Sequence, residues 1–159
     1  MNRFKVVFTA FVAVLSLLLF PAITSAGDLK GEGTVTYQVT QLAEQKLGDG
    51  TALTQSHLKG IIVSADTTNP LHLMPQDCVG VSLVDTNGIP VEQSGSCAGA
   101  DKDGDTWMMT YFNKGDSRTW EFVSGTGKFA KITGGGTTAV LVATADGRFT
   151  ISWQGTWSM

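Results

Sequence analysis

Three aspartates at alternate positions, Asp101, Asp103 and Asp105, are the first residues whose types and spacing could do chemistry. Oxygen donors spaced by two open a twelve-residue calcium loop, but that loop closes on a glutamate at its twelfth position, where Phe112 stands here. Asp103-Gly104 is also a hairpin-corner signal, so the trio reads as a solvated turn. Gly125-x-Gly127-Lys128 has the glycines and lysine of a phosphate cradle, yet Phe129 fills the place a Walker loop gives to Ser or Thr. It reads as a glycine turn with an apolar plug. His57 and His72 are the only histidines, and zinc would need further ligands. A serine nucleophile would need a positioned base and a G-x-S-x-G elbow; Ser94-Gly95-Ser96 has neither and reads as small residues relieving crowding in a strand. No catalytic residue, metal or cofactor is expected.

Two features keep a binding site open. Trp107, Met109, Tyr111, Trp120, Phe122, Phe149 and Trp153 form an aromatic-rich apolar set. They either fill a core or line a site for one small apolar ligand, with Tyr and Trp supplying polar handles. Glu92 falls opposite Leu83 in the pairing derived below and is expected on the same apolar side. There it is either a strand-end carboxylate reaching water or, at a cavity mouth, an acid or base of raised pKa. Glu121 alternates with Trp120 and Phe122 and belongs on the opposite, solvated face. Trp157 and Met159, at the end of the chain, are expected at a subunit contact.

These side chains have to be positioned by strands. Alternation of apolar and polar residues begins at Thr34 and recurs over residues 58–65, 78–85, 91–100, 106–113, 117–123, 137–144 and 149–157. Residues 66–76, with Pro70 and Pro75, form a longer connection carrying His72. Residues 124–136 hold five glycines around Phe129 and Ile132, a link pinned into the core by two apolar anchors. Eight strands joined by hairpins, each with one apolar face, most economically close into an antiparallel up-and-down barrel, which removes exposed edges. A two-sheet β-sandwich is the alternative.

Turn arithmetic predicts the register. A two-residue hairpin at Asn87-Gly88 places residue 86 opposite 89, Pro90 opposite Asp85, and Cys78 opposite Cys97, within reach of a disulfide. A corner at Asp103-Gly104 places Ala98 opposite Met109 and Ala100 opposite Trp107. One at Lys114-Gly115 or Gly115-Asp116 gathers Trp120 and Phe122 with Trp107, Met109 and Tyr111. One at Asp146-Gly147 sets Val140 opposite Trp153 and Val142 opposite Ile151. Asp49-Gly50 is a further type I′ signal.

The N-terminus reads as a leader. Arg3 and Lys5 precede an apolar run over residues 6–20, and Thr24-Ser25-Ala26 offers a small-residue cleavage site. Removing residues 1–26 of 159 leaves 133, one domain, without a membrane span and exported to the periplasm or medium. The remainder holds nine Lys/Arg against fourteen Asp/Glu, a net charge of −5, which argues against nucleic acid as partner. All 19 glycines fall in it, and their scatter among apolar runs marks turns rather than disorder.

Gly125-Thr126-Gly127-Lys128-Phe129, followed by Ile132 and Gly134, resembles the G-T-G-K-[FY] signature of the barrel superfamily that includes plant dirigent proteins and allene oxide cyclases. The chain is more similar still to small exported bacterial proteins of that group. The resemblance implies an eight-stranded antiparallel barrel, often a homo-oligomer, with an apolar cavity. The plant enzymes' acidic and basic pocket residues do not map onto fixed positions here, so no catalytic residue is carried across. The functional expectation is an exported barrel that binds a small apolar molecule. The alternatives are an isomerase or cyclase on an apolar substrate, and an oligomerising envelope module.

Overall fold

The computed structural model describes residues 27–159; the leader predicted over residues 1–26 lies outside the described residues. Eight strands follow in order: β1 (Leu29–Lys46), β2 (Ala52–Ser64), β3 (Pro75–Val84), β4 (Pro90–Ala100), β5 (Thr106–Lys114), β6 (Ser117–Gly125), β7 (Thr133–Ala143) and β8 (Arg148–Ser158). Each pairs antiparallel with its neighbours in sequence, and β8 pairs with β1, so the sheet closes into a barrel. Closure leaves no second sheet, which sets the sandwich aside. A single 3-10 turn, Gly127–Phe129, links β6 to β7.

Directly opposed residues share a face, so the pairing stacks the interior in rows. One row runs Leu58, Cys78, Cys97, Met109, Phe122; the next runs Tyr37, Gly60, Gln76, Gly99, Trp107, Gly125. Large rings lie across from glycines. A Cβ on Gly99 would stand 2.5 Å from the Trp107 ring, and one on Gly60 2.7 Å from Tyr37. Tyr111 covers Gly80 and Gly95, and Trp120 covers Gly155. These glycines mark space rather than turns, a correction to the sequence reading: an eight-strand barrel has room for its tryptophans only where the opposite wall lacks side chains. The run Gly134-Gly135-Gly136 likewise belongs to β7, facing β8, and not to the link.

The two ends differ. At one end the β2–β3 connection folds Leu71 and Met74 inward, and the β6–β7 link does the same with Phe129 and Ile132; Phe129 is 0% exposed. Gly127 has a positive φ of 51°, and Asp105 accepts the Lys128 backbone N–H at 3.0 Å. Lys128 Nζ meets Asp101 at 2.5 Å, so the aspartates of the turn clamp the plug, and no group of three or more potential metal ligands occurs among the described residues. The first and last strands begin and end here, Leu29 opposite Trp157. Trp157 is 1% exposed and packs on Phe122 and Trp153, while Met159 is partly buried against the same core. That overturns the expected subunit contact for Trp157, because β8 continues to Ser158 and turns Trp157 inward.

The other end carries the β1–β2, β3–β4, β5–β6 and β7–β8 hairpins. The corners at Asp49-Gly50, Asn87-Gly88 and Asp146-Gly147 at this end, and the β4–β5 corner at Asp103-Gly104 at the plugged end, are three-residue loops, not two-residue ones. In each, the glycine donates its N–H to the residue three before it and has positive φ, while the flanking residues pair one step further on, as Asp101 does with Asp105. A type I turn with a glycine bulge has this form. It moves the register by one, so Met109 faces Cys97, Ala98 faces Met108, and Trp107 faces Gly99. Val140 faces Ile151 and Val142 faces Thr150, with Leu141 bulged between them. Pro90 faces Val84 rather than Asp85, and the bulged Val91 then restores the predicted pairing beyond it. Cys78 and Cys97 are therefore directly opposed and bonded. Gly115-Asp116 is the two-residue corner, and it gathers the aromatic residues as predicted.

Candidate functional site

The candidate site is the barrel interior, and strand alternation decides what enters it. Trp107, Met109 and Tyr111 point inward from β5, Trp120 and Phe122 from β6, Trp153 from β8. The rings meet edge to face, Trp107 with Phe122 at 5.5 Å and Trp120 with Phe122 at 5.3 Å, an arrangement worth about 1 kcal/mol per pair beyond burial. Between them remains a void of about 40 Å³, lined by Val35, Tyr37, Ile62, Leu71, Gln76, Trp107, Met109, Trp120, Phe122, Ile151 and Trp153.

Five of the eight predicted ligand residues thus line the void. Tyr111 and Phe149 also belong to the interior but sit half-buried outside the lining, Phe149 stacked on Tyr37 with ring centres 5.0 Å apart. Glu92 does not belong. It is opposite Leu83 as predicted, but Cys78 points inward and fixes the parity of β3, so both Leu83 and Glu92 face outward. Glu92 there meets Lys114 at 2.8 Å. Glu121 is outside and exposed, as expected.

Sequence reading missed Gln76 and Leu71. Both fall within residues 66–76, the proline-bounded stretch that reads as a connection, whereas β3 already begins at Pro75 and turns Gln76 inward. Gln76 donates from Nε2 to the Tyr37 hydroxyl, and burial, then the nearby Tyr111, raise the Tyr37 pKa well above its usual value. Tyr37 therefore stays a neutral hydroxyl at any physiological pH. Trp107 directs its N–H at the Met74 sulfur, and Trp120 donates to the Thr137 carbonyl at 3.4 Å. Among the described residues, Gln76 Oε1, Trp153 Nε1 and Trp157 Nε1 are buried without a partner.

The interior tapers. At its plugged end Met74, Phe129, Ile132 and Trp157 are buried; toward the hairpins, inward-facing Leu58, Met109, Tyr111, Phe149 and Ile151 are only half-buried. The arrangement is a cup with a carbon-rich floor, uncharged at its base and open at the hairpin end. Such a surface can hold an apolar group by shape and desolvation.

No protein-family model matches the chain, and no curated relative matches it. The fold is shared with a solved structure of the pterocarpan synthase dirigent protein GePTS1, at TM-score 0.56 and 13% identity, over 83% of this chain and 91% of that one. The likeness shows a dirigent-like β-barrel.

Proposed function

We propose that this dirigent-like barrel is an exported protein that binds a small apolar molecule through its open end. The observation that carries the reading is the carbon-lined void of about 40 Å³ bounded in part by Trp107, Trp120 and Trp153. A pocket enclosing a whole drug-sized ligand has at least ~300 Å³, so the ligand seats one end on the floor and leaves the rest in the mouth. Export is supported by the buried Cys78–Cys97 bridge, which belongs to an oxidising compartment. Binding has more support than isomerisation or cyclisation, because acid–base chemistry would need a second ionisable group beside Tyr37 at the void. An oligomerising module is the second reading. It rests on Leu53, Val79, Val81, Met108 and Phe112, which stand exposed on the outer face of β2 to β5.

Titrating tryptophan fluorescence with toluene tests the binding reading, since three of the four tryptophans line the void. A saturable change supports it; a strictly linear response sinks it. Native mass spectrometry of protein from its own periplasm or medium adds a second reading, a retained small molecule.

A further inference from the structure

One row of interior residues lies nearer the open end than the aromatic floor. It runs Thr54, Ser82, Gln93, Asn113 and Arg118, each directly opposite the next on strands β2 to β6. The amides are chained: Gln93 Nε2 donates to Ser82 Oγ at 3.1 Å, and Asn113 Nδ2 to Gln93 Oε1 at 3.4 Å. The chain stops at Asn113 Oδ1, which is buried and has no donor among the described residues. Across from it stands Arg118, two residues before Trp120 and so on the same inward face. Of the nine lysines and arginines among the described residues, Lys102, Lys114, Lys128 and Arg148 each hold a carboxylate, while Lys30, Lys46, Lys59 and Lys131 hold none but stand exposed in water. Arg118 is half-buried and holds none among the described residues; Glu92 is already paired outside the barrel with Lys114.

A half-buried guanidinium without an anion is an incomplete pair. Its five N–H groups form a planar fork that fits both oxygens of a carboxylate and leaves a donor for Asn113 Oδ1. Resting on the binding reading above, we infer that Arg118 receives the carboxylate of an amphiphilic ligand whose apolar end enters the cup. Size follows from the distances available. Trp120 lies two strand positions deeper, or ~7 Å along the wall, and the void below accepts about 40 Å³. The class that fits is a single-ring or short-chain monocarboxylate, with Arg118 setting specificity for charge and the tryptophan floor setting it for shape.

Three probes of one shape test this by tryptophan fluorescence: 4-ethylbenzoate, neutral 4-ethyltoluene and the cation 4-ethylbenzylammonium. Wild-type protein is expected to bind the carboxylate at least ~10-fold more tightly than the neutral probe, the scale of a charge-assisted hydrogen-bonded pair. Arg118→Gln removes that preference and leaves 4-ethyltoluene binding within ~2-fold, which also reports that the barrel is folded. Arg118→Lys keeps part of the preference, as a point charge without the fork. Equal affinity for carboxylate and neutral probe, or a preference that survives in Arg118→Gln, overturns the role of Arg118 while the binding reading stands. Saturable binding by none of the three overturns both.

Discussion

Replacing both bridge cysteines tests the barrel's dependence on its one covalent staple. Cys78 and Cys97 are 19 residues apart in sequence, directly opposed on β3 and β4, and 1% and 2% exposed. In the chain-entropy account, closing a loop of that length removes ~11 cal/mol/K from the unfolded chain, or about 3 kcal/mol at 25 °C. For a domain of 133 residues, each kcal/mol moves the thermal midpoint ~3–4 °C, so Cys78→Ala with Cys97→Ala is expected to lower Tm by ~10 °C. Losing two buried sulfurs adds a small packing cost, which comparison with reduced wild-type protein separates. Because the bridge acts on the unfolded chain, its loss lets that chain expand. The urea m-value of the double variant is therefore expected to rise as its midpoint falls. Urea and thermal unfolding by circular dichroism measure both. A stability loss below ~1 kcal/mol, or a drop in m, would refute the entropic argument.

Glycine substitutions should divide by what faces them. Gly99→Ala drives a Cβ to 2.5 Å from the fully buried Trp107 ring and is expected to cost ~1–3 kcal/mol, whereas Gly48→Ala meets nothing within 4 Å and stays within ~1 kcal/mol of wild type in urea midpoints. Phe129→Ala opens the plugged end at a position with no exposure, with an expected loss of ~3–5 kcal/mol by the same measurement. Acid is expected to destabilise the fold. Hydrogen bonds from Arg148 and then Thr144 hold Asp146 down to about 2, and turn hydrogen bonds also lower Asp49, Asp66 and Asp85. A depressed folded-state pKa gives stability that is complete above the unfolded value near 4 and lost as pH falls toward 2. Tm measured from pH 7 to 2 should stay level to about 4 and then decline, with Asp146→Asn shallowing the decline; a level Tm down to pH 2 would contradict the assignment.

Fold class and strand number were legible because period-2 alternation marks each of the eight strands, broken only by bulges and connections. The disulfide was legible for a less secure reason. The two-residue turn assumed at Asn87-Gly88 is a three-residue one, and the bulge at Val91 cancels the error before it reaches Cys97. At Asp103-Gly104 nothing intervenes before the predicted pairs, and the register slips by one. An Asx-Gly dipeptide suits the last two loop residues of a type I turn with a glycine bulge as well as it suits a type I′ turn, so local chemistry cannot choose between them. The seven aromatic-rich residues share the interior face, five of them around the void, because parity within a strand does not depend on the turn. Glu92 was misplaced because its face depends on parity in a neighbouring strand, and only the inward Cys78 fixes that. Gln76 and Arg118 carried no signal at all, since a polar residue facing the interior contradicts the pattern that identifies a strand face.

The pairing of Leu29 with Trp157 sets the start of β1 and the end of β8 side by side at the plugged end. A short linker could join them and the backbone be reopened at any hairpin, so the barrel invites circular permutation. For the same reason, tethering the barrel of residues 27–159 to a bead or surface by either end of that segment would leave the mouth facing the solution, ready for ligand capture.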